Sequence, residues 1–395
     1  MFYKRDSIKK LRRIAKFPVV AILGPRQSGK TTLARNHFEK HAYFSFENPM
    51  TREFAISDPQ RFLREYENEY GMILDEFQNA PEILSYIQLT VDEKKRPGYF
   101  VLTGSQNYLM NEKISQSLAG RVGILTLLPL SLNELDENKL WDSNIDTLMI
   151  KGFYPRIYSE QLEPYDVYPN YIQTYIERDV RQLSNIGDLR TFQKFMALCA
   201  GRISQQLNLS DIAAQCSISV PAANKWLSIL EAGYIVYTLS PYYKNFDKRL
   251  TKTPKLYFYD TGLACSLLGI TTPSVISVSP FRGALFENLI ISDLCKQYFN
   301  RGQRPPLYFW REQNGRIEID CIIEQALKLI ALEIKSSETT TSAFLDNLAE
   351  WNDISKTNPE DNYLVYAGKH NQKRSRGNVM SWQSIGTLVD KLDKQ

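Results

Sequence analysis

The chain has 395 residues, 43% apolar, 23% charged and 12% aromatic, a globular composition that excludes intrinsic disorder and leaves room for two or three domains. Its 48 Lys and Arg against 44 Asp and Glu give a formal net charge of +4, so attraction to nucleic acid has to come from local patches and not from bulk charge. Five scattered cysteines (Cys199, Cys216, Cys265, Cys295, Cys321) with no Cys-x-x-Cys pair, and only His37, His41 and His370, argue against a disulfide framework, a zinc site or a Ser-His-Asp hydrolase.

The opening MFYKRDSIKKLRRIAKF is basic but lacks the apolar core and small-residue cleavage site of a secretory leader, and a cytoplasmic protein is expected. FPVVAILGPRQSGKTTLARNHF, from Phe17, reads as a buried strand, a Gly-rich turn and a helix. Two more apolar runs, GMILDEF at 71–77 and GYFVLTGS at 98–105, flank PEILSYIQLTVDEKK, a helix with Ile83, Ile87 and Val91 on one face. Residues 1–150 are therefore expected to form a doubly wound parallel α/β sheet. VGILTLLPLSL at 122–132 contains Gly, Pro and Ser and is too short to cross about 30 Å of hydrocarbon, so no membrane segment is expected.

Residues 151–281 read as a helical region rich in Tyr and charge, including YPNYIQTYIERDVRQL at 168–183. Within it, 209–243 gives helix, tight turn, helix, strand, with Ser210 and Ser219 as N-caps, Pro221 in a first turn and Gly233 at a C-terminal cap. That is a helix-turn-helix followed by a wing. Residues 282–395 form a third segment, with helix GALFENLIISDLCKQYF, strands LYFWRE, RIEIDCIIE and LIALEIK, helix SAFLDNLAEWN and strand NYLVYAG, an αβββαβ order.

Gly24-Pro25-Arg26-Gln27-Ser28-Gly29-Lys30-Thr31 fits GxxxxGK[ST] where that motif belongs, between a strand and a helix, with Thr32 next in line. Glycines let backbone N–H groups approach phosphate oxygens, Lys30 neutralises β/γ-phosphates, and the Thr31 hydroxyl is suited to Mg²⁺. Asp75 and Glu76 end the next apolar strand as a Walker B pair, Asp75 toward the Mg²⁺ shell and Glu76 polarising the attacking water. Ser105, ending the strand after that, is placed as a γ-phosphate sensor or as part of a plain turn. ATP and Mg²⁺ follow as ligands.

The blocks GPRQSGKTTLA, MILDEFQNAPEIL, LTGSQ, SLAGRVGILTLLPLSLNEL, GFYPRIY and YIERDV, in that order, resemble prokaryotic AAA-type ATPases that carry a DUF4143 region, over about Lys9 to Trp351. The resemblance implies an AAA-like P-loop NTPase core, a winged-helix region and a C-terminal domain similar to restriction-endonuclease folds. Arg121 is then a candidate for a cation reaching a γ-phosphate in a homo-oligomer, or a surface or core-supporting arginine. In the helix-turn-helix, Asn224 and Lys225 are placed to face a DNA major groove while Trp226, Leu227 and Leu230 pack inward. The wing at 242–260, with five Lys/Arg, two Asp and Tyr242, Tyr243 and Phe246 interleaved, suits phosphate contact and stacking, or serves a protein interface. The last segment resembles the PD-(D/E)xK nuclease pattern. Glu287, Asp320 and Glu333 form its expected site for Mg²⁺ or Mn²⁺, and period 2 puts Lys335 beside Glu333 as the catalytic lysine. The whole is expected to be an ATPase whose nucleotide state controls a DNA-directed region, or a nucleotide-gated protein-interaction switch with a nuclease-like domain that does not cut.

Overall fold

Val19–Gly24 (β1) is buried at all six positions, as an aliphatic run paired on both edges has to be. In the computed structural model, which describes residues 2–105, 114, 116–175, 188–243, 252–312, 315–325 and 328–393, it is one of the three inner strands of a five-stranded parallel sheet. Its partners are Ala42–Ser45 (β2), Met72–Asp75 (β3), Phe100–Ser105 (β4) and Val122–Thr126 (β5), in the order β2-β3-β4-β1-β5. The apolar runs named three of these strands. The two others, β2 and β5, are the sheet edges: β2 is short and half-exposed, and β5 opens the apolar 122–132 run weighed above only as a membrane segment.

Successive residues of β1 serve opposite faces. Val19, Ala21 and Leu23 pack with Phe62, Leu74 and Ile87, while Val20 and Ile22 pack with Leu11, Leu33 and Leu125. Helices Ile8–Ile14 (α1), Lys30–His37 (α2) and Ile83–Lys94 (α3) help cover these faces, and the expected α3 stripe Ile83, Ile87 and Val91 is buried.

Two compact units divide the chain, one of Met1–Leu130, Ile229–Tyr234 and Tyr298–Gln303, the other of Ser131–Ser228, Ile235–Gln297 and Arg304–Gln395. The second unit opens into a helical region containing Leu189–Ala200 (α4), Leu209–Gln215 (α5) and most of Val220–Ala232 (α6). Trp226 is packed edge-on against Phe192 and Phe195, and Leu227 and Leu230 are buried, while Asn224 and Lys225 are exposed. Ser219 accepts from the Ala222 N–H as expected. Ser210 does not cap α5, because it lies inside the helix: Asn208, two residues earlier, holds the cap position and accepts from the Asp211 N–H. Tyr234, not Gly233, takes the left-handed position after α6, at φ 54°. An antiparallel pair follows, Val236–Leu239 (β6) and Lys255–Phe258 (β7). Residues 176–187 and 244–251, the second half of the Tyr-rich helix and the part of the wing with Lys244, Phe246, Lys248 and Arg249, lie outside the described residues.

Beyond this pair come helix Arg282–Arg301 (α7), strands Leu307–Arg311 (β8), Glu318–Gln325 (β9) and Lys328–Lys335 (β10), helix Asp346–Ser355 (α8) and strand Tyr363–Tyr366 (β11). This is the αβββαβ order read from the sequence, extended by two short strands, Gln372–Arg374 (β12) and Gly377–Ser381 (β13). The sheet runs β12-β13-β11-β10-β9-β8, with β10, β11 and β13 parallel and β9 antiparallel to β8 and β10. Leu285, Leu289, Ile290 and Leu294 make α7 a buried helix, and Trp310 and Trp351 close the core on the other elements. Asp260, fully buried, joins the helical region to itself by accepting from the N–H groups of Phe153 and Leu263 and from the Tyr168 hydroxyl. Among the described residues no helix is long and apolar enough to cross a membrane.

Candidate functional site

Because all five strands of the first sheet run the same way, Gly24, Asp75 and Ser105 finish at one edge, where loops can meet a ligand. Gly24 is at φ 153°, and a Cβ there would lie 2.1 Å from the Leu127 carbonyl oxygen, so a side chain would push the loop off the neighbouring strand. Gly29 caps α2 in a left-handed conformation, which turns the first N–H groups of the helix toward the loop it closes. Behind the loop, the buried Arg5 guanidinium donates to the carbonyls of Ser28, at 2.8 Å, and Leu128, at 2.6 Å. Lys30 is buried, its ammonium donating to the Pro25 carbonyl at 2.7 Å. The Gly24–Thr32 segment thus has the curled backbone and inward lysine of an anion cradle.

Asp75 is held by hydroxyls. Thr31 Oγ1 donates to its Oδ1 at 2.7 Å, Tyr43 to its Oδ2 at 2.8 Å, and Thr103 also to Oδ1. Tyr43 and Thr103 are parts of the site that the sequence does not single out; Tyr43 sits on a half-exposed edge strand, and Thr103 lies inside the apolar run at 98–105. The Tyr43 hydroxyl is pushed up to about 12, first by burial and then by its bond to the carboxylate, so it stays a donor. Thr31 and Asp75 are hard oxygen groups in contact, the donor set that suits Mg²⁺ beside a phosphate.

Glu76 follows in a left-handed backbone at φ 54°, which swings its carboxyl away from the strand direction. Burial raises its pKa, and the Lys30 charge and the Gln78 amide pull it back. Gln78 links the two expected catalytic positions, donating to Glu76 Oε2 and, at 3.1 Å, to Ser105 Oγ. A Cβ on Gly104 would come within 2.3 Å of Gln78 Oε1, so the glycine leaves the space this amide fills. Arg121 is not brought to this site within its own chain. It precedes β5 at the opposite end of the sheet, where its carbonyl accepts from Val19, and its guanidinium grips Asp92 of α3 through Nε and Nη2 at 2.6 and 2.8 Å.

In the second unit, α7, β9 and β10 bring Glu287, Asp320, Glu333 and Lys335 together as a neighbourhood. Lys335 Nζ lies 2.5 Å from Glu333 Oε1, the same-face pair period 2 requires, and Asn347 adds a donor at 3.2 Å. Asp320 Oδ2 accepts from the Ile334 N–H at 2.8 Å. A residue the wing reading misassigned completes the group. Lys255 is 3% exposed and does not face solvent: its ammonium pairs with Glu287 at 3.2 Å and with Glu318 at 2.5 Å. Tyr242 is buried too, its ring against Tyr308, which leaves Tyr243 as the exposed aromatic among the described residues of that stretch. The causes are local: β7 is buried at all four positions, which takes Lys255 inside, and Tyr242, beyond β6, is tied to β8 through the Phe309 carbonyl.

Burial raises Glu287 to about 7 against the pull of Lys255, and Glu333 to about 8, with Asp320 adding repulsion at both. Tyr257 donates to Glu287 at 2.6 Å, whereas Glu333 Oε2 is buried without a hydrogen-bond partner. Among the described residues no three carboxylate, imidazole or thiol groups converge at metal-ligating spacing. The ammonium of Lys255 stands among the acids where the sequence reading expected a metal charge.

The family model of the AAA domain matches residues 16–136, and models of two domains of unknown function, DUF8612 and DUF4143, match 142–274 and 282–385. An uncharacterized protein of Mycobacterium tuberculosis is 30% identical over 342 residues, 85% of this chain and 74% of that protein. The chain belongs to the AAA-domain and DUF4143 family. A more distant member of the same comparison, an uncharacterized protein of Haemophilus influenzae, is 22% identical over 365 residues, 84% of this chain and 85% of that protein. Similar solved structures include a Walker-type ATPase of Pyrococcus abyssi, at 16% identity and TM-score 0.41, covering 66% of this chain and 94% of that one. The RuvB Holliday junction branch migration motor of Thermotoga maritima, at 18% identity and TM-score 0.33, covers 59% and 88%. The N-terminal region is thus an AAA-type P-loop domain on an α/β sheet.

Proposed function

We propose that the protein binds and hydrolyses ATP with Mg²⁺ at the Gly24–Thr32 loop, and that its nucleotide state controls a DNA-directed C-terminal region. The observation that carries the first part is the hydrogen bond between Thr31 and Asp75 with Lys30 in the cradle beside them. Lys30 leaves the Pro25 carbonyl for β/γ-phosphate oxygens, where its charge offsets the charge that grows as the terminal phosphoryl departs. Thr31 and Asp75 would hold Mg²⁺, which neutralises charge shared between the phosphates. Glu76, raised by burial, takes a proton from the attacking water, and Gln78 connects that carboxylate to Ser105 at the γ-phosphate end. Arg121, bound to Asp92 away from its own P-loop, acts on a neighbouring subunit's nucleotide in a homo-oligomer.

The DNA part is supported by the exposed Asn224 and Lys225 on α6, over a stripe of Trp226, Leu227 and Leu230, and by the αβββαβ order with Asp320, Glu333 and Lys335 on adjacent strands. The three functional segments remain 1–150, 151–281 and 282–395, in a cytoplasmic protein. Titrating labelled DNA at rising salt, with and without a non-hydrolysable ATP analogue, tests this. A steep loss of affinity with salt that shifts with nucleotide is expected, because phosphate contacts release counterions. No binding in either state refutes it. A second reading, a nucleotide-gated protein-interaction switch with a nuclease-like module that does not cut, is favoured by the ammonium of Lys255 among the acids.

A further inference from the structure

Lys255 begins β7, and the backbone delivers its side chain to the acids with little freedom. Leu239 pairs with it across β6, Gln206 bridges to it, and the Leu256 N–H donates to the Gln205 carbonyl at 3.0 Å. The residues following β6 are sewn to β8: Tyr242 N–H donates to the Phe309 carbonyl at 2.7 Å, Phe309 N–H to the Ser240 carbonyl at 3.1 Å, and the Tyr242 hydroxyl to Glu324 at 3.2 Å. The aliphatic stem passes through protein and the ammonium ends 5.4 Å from the Phe309 ring centre, between α7 and β9. It reaches Glu287 and Glu318 directly and acts on Asp320 through space. Arg311 shares Glu318 at 3.3 Å, and Lys335 holds one oxygen of Glu333.

The other oxygen, Glu333 Oε2, lacks a hydrogen-bond partner although the residue is 2% exposed. A buried carboxylate oxygen left in this way is costly unless a positive group comes to it. The cluster thus has Lys255 at the Glu287 end and Lys335 on one oxygen at the Glu333 end, whose other oxygen is left to a proton or a further cation. A divalent ion shared by Glu287, Asp320 and Glu333 needs their oxygens about 2.0–2.6 Å from its centre, closer than an ammonium beside Glu287 permits.

We propose that Lys255 is a tethered cation that holds the Glu287–Asp320–Glu333 cluster closed to divalent metal, an autoinhibitory plug carried on the β6–β7 pair. The plug rests on the nuclease-like reading of this module and supplies its regulation: the acids accept a divalent cation only when the lysine is withdrawn. In this state the Glu287 end of the cluster is charge-compensated by its own chain.

The test is a Mn²⁺ titration, read by electron paramagnetic resonance, of the nucleotide-free full-length chain carrying Asp75→Asn so that the P-loop does not contribute. Lys255→Met in that background should gain one Mn²⁺ per chain, bound about tenfold or more tighter than in its parent, since a unit charge has left the site. Asp320→Asn should remove the gain, and Mn²⁺ should raise the Tm of the Lys255→Met chain and not of its parent. Equal Mn²⁺ binding by parent and variant, or none by a folded variant, overturns the plug. Lys255→Gln keeps the side chain polar and gives the same readout should the methionine variant misfold. Reductive methylation of the unmodified protein, read by mass spectrometry, needs no variant: Lys255 should be protected while the exposed Lys252 reacts, and equal labelling overturns the proposal. A Lys255→Met chain that binds Mn²⁺ and leaves DNA intact keeps the plug and defeats the nuclease reading, whereas Mn²⁺-dependent cutting by the unmodified protein keeps the nuclease reading and defeats the plug.

Discussion

At the end of β3, Asp75 receives hydroxyls from Thr31, Tyr43 and Thr103 while Lys30 rests on a neutral carbonyl; in the C-terminal module, Glu287, Glu318 and Glu333 receive the ammonium groups of Lys255 and Lys335. The residue types are nearly the same and the electrostatic outcome is opposite. Neutral donors orient the Asp75 carboxylate without cancelling its charge, and the Lys30 ammonium donates to the neutral Pro25 carbonyl, an arrangement suited to a phosphate and its metal. Internal ion pairs offset part of the charge of the second cluster, and a ligand there has to compete with the protein's own lysine. An acidic group with a nearby lysine is therefore no guide to activity until it is known which carboxylates the lysine neutralises.

This contrast can be broken at several points. The largest effect is expected at Glu76: Glu76→Gln should lower kcat by about 10²–10⁴-fold while nucleotide affinity stays near the parent's, because it removes the proton acceptor and leaves Lys30, Thr31 and Asp75. Single-turnover hydrolysis beside equilibrium binding of labelled ATP measures both, and normal turnover would place the base elsewhere. Lys30→Ala should lose about 10²–10³-fold in turnover, together with nucleotide affinity, and keep its circular dichroism spectrum. Equal ATPase rates would mean that the open charge at this site is not the one that matters.

The closed cluster predicts a pH dependence of stability. Burial holds the pKa values of Glu287 and Glu333 at about 7 and about 8, above the ordinary 4.5, so the folded chain keeps protons that the unfolded chain releases. Their stabilisation is complete below about pH 4.5 and is lost as the pH rises through about 7 to 8. Tm at pH 5.5 should exceed that at pH 8.5 by a few degrees, the scale of about 1–2 kcal/mol in a unit of this size. Glu287→Gln should flatten the profile, since the amide cannot titrate, and an unchanged profile in that variant would show that other groups set it. The smallest effect is expected at Arg121, whose pair with Asp92 is exposed. Arg121→Ala should leave Tm unchanged and lower turnover only at protein concentrations where subunits assemble; the same loss at all dilutions would point to action within one chain.

What could be read in advance depended on how far along the chain the cooperating residues lie. Gly24 to Thr31 is legible because a strand, a Gly-rich turn and a helix N-terminus are neighbours in sequence, and Asp75-Glu76 because it ends an apolar run. The pairing of Glu333 with Lys335 followed from strand period alone. Tyr43 was hidden because its half-exposed edge strand has no apolar signature, and Gln78 because nothing local links it to Ser105, 27 residues away. Lys255 misled the reading outright, since a basic, aromatic stretch looks the same whether it faces solvent or core.

By itself the sequence determined the element types, the αβββαβ order and the chemistry available at the P-loop, all consequences of local periodicity, backbone preference and contiguous motif. Only the tertiary structure decided which cation meets which carboxylate. Charge compensation in a buried site depends on distances of a few ångströms between α7, β7 and β9, elements that chain order separates and packing brings together.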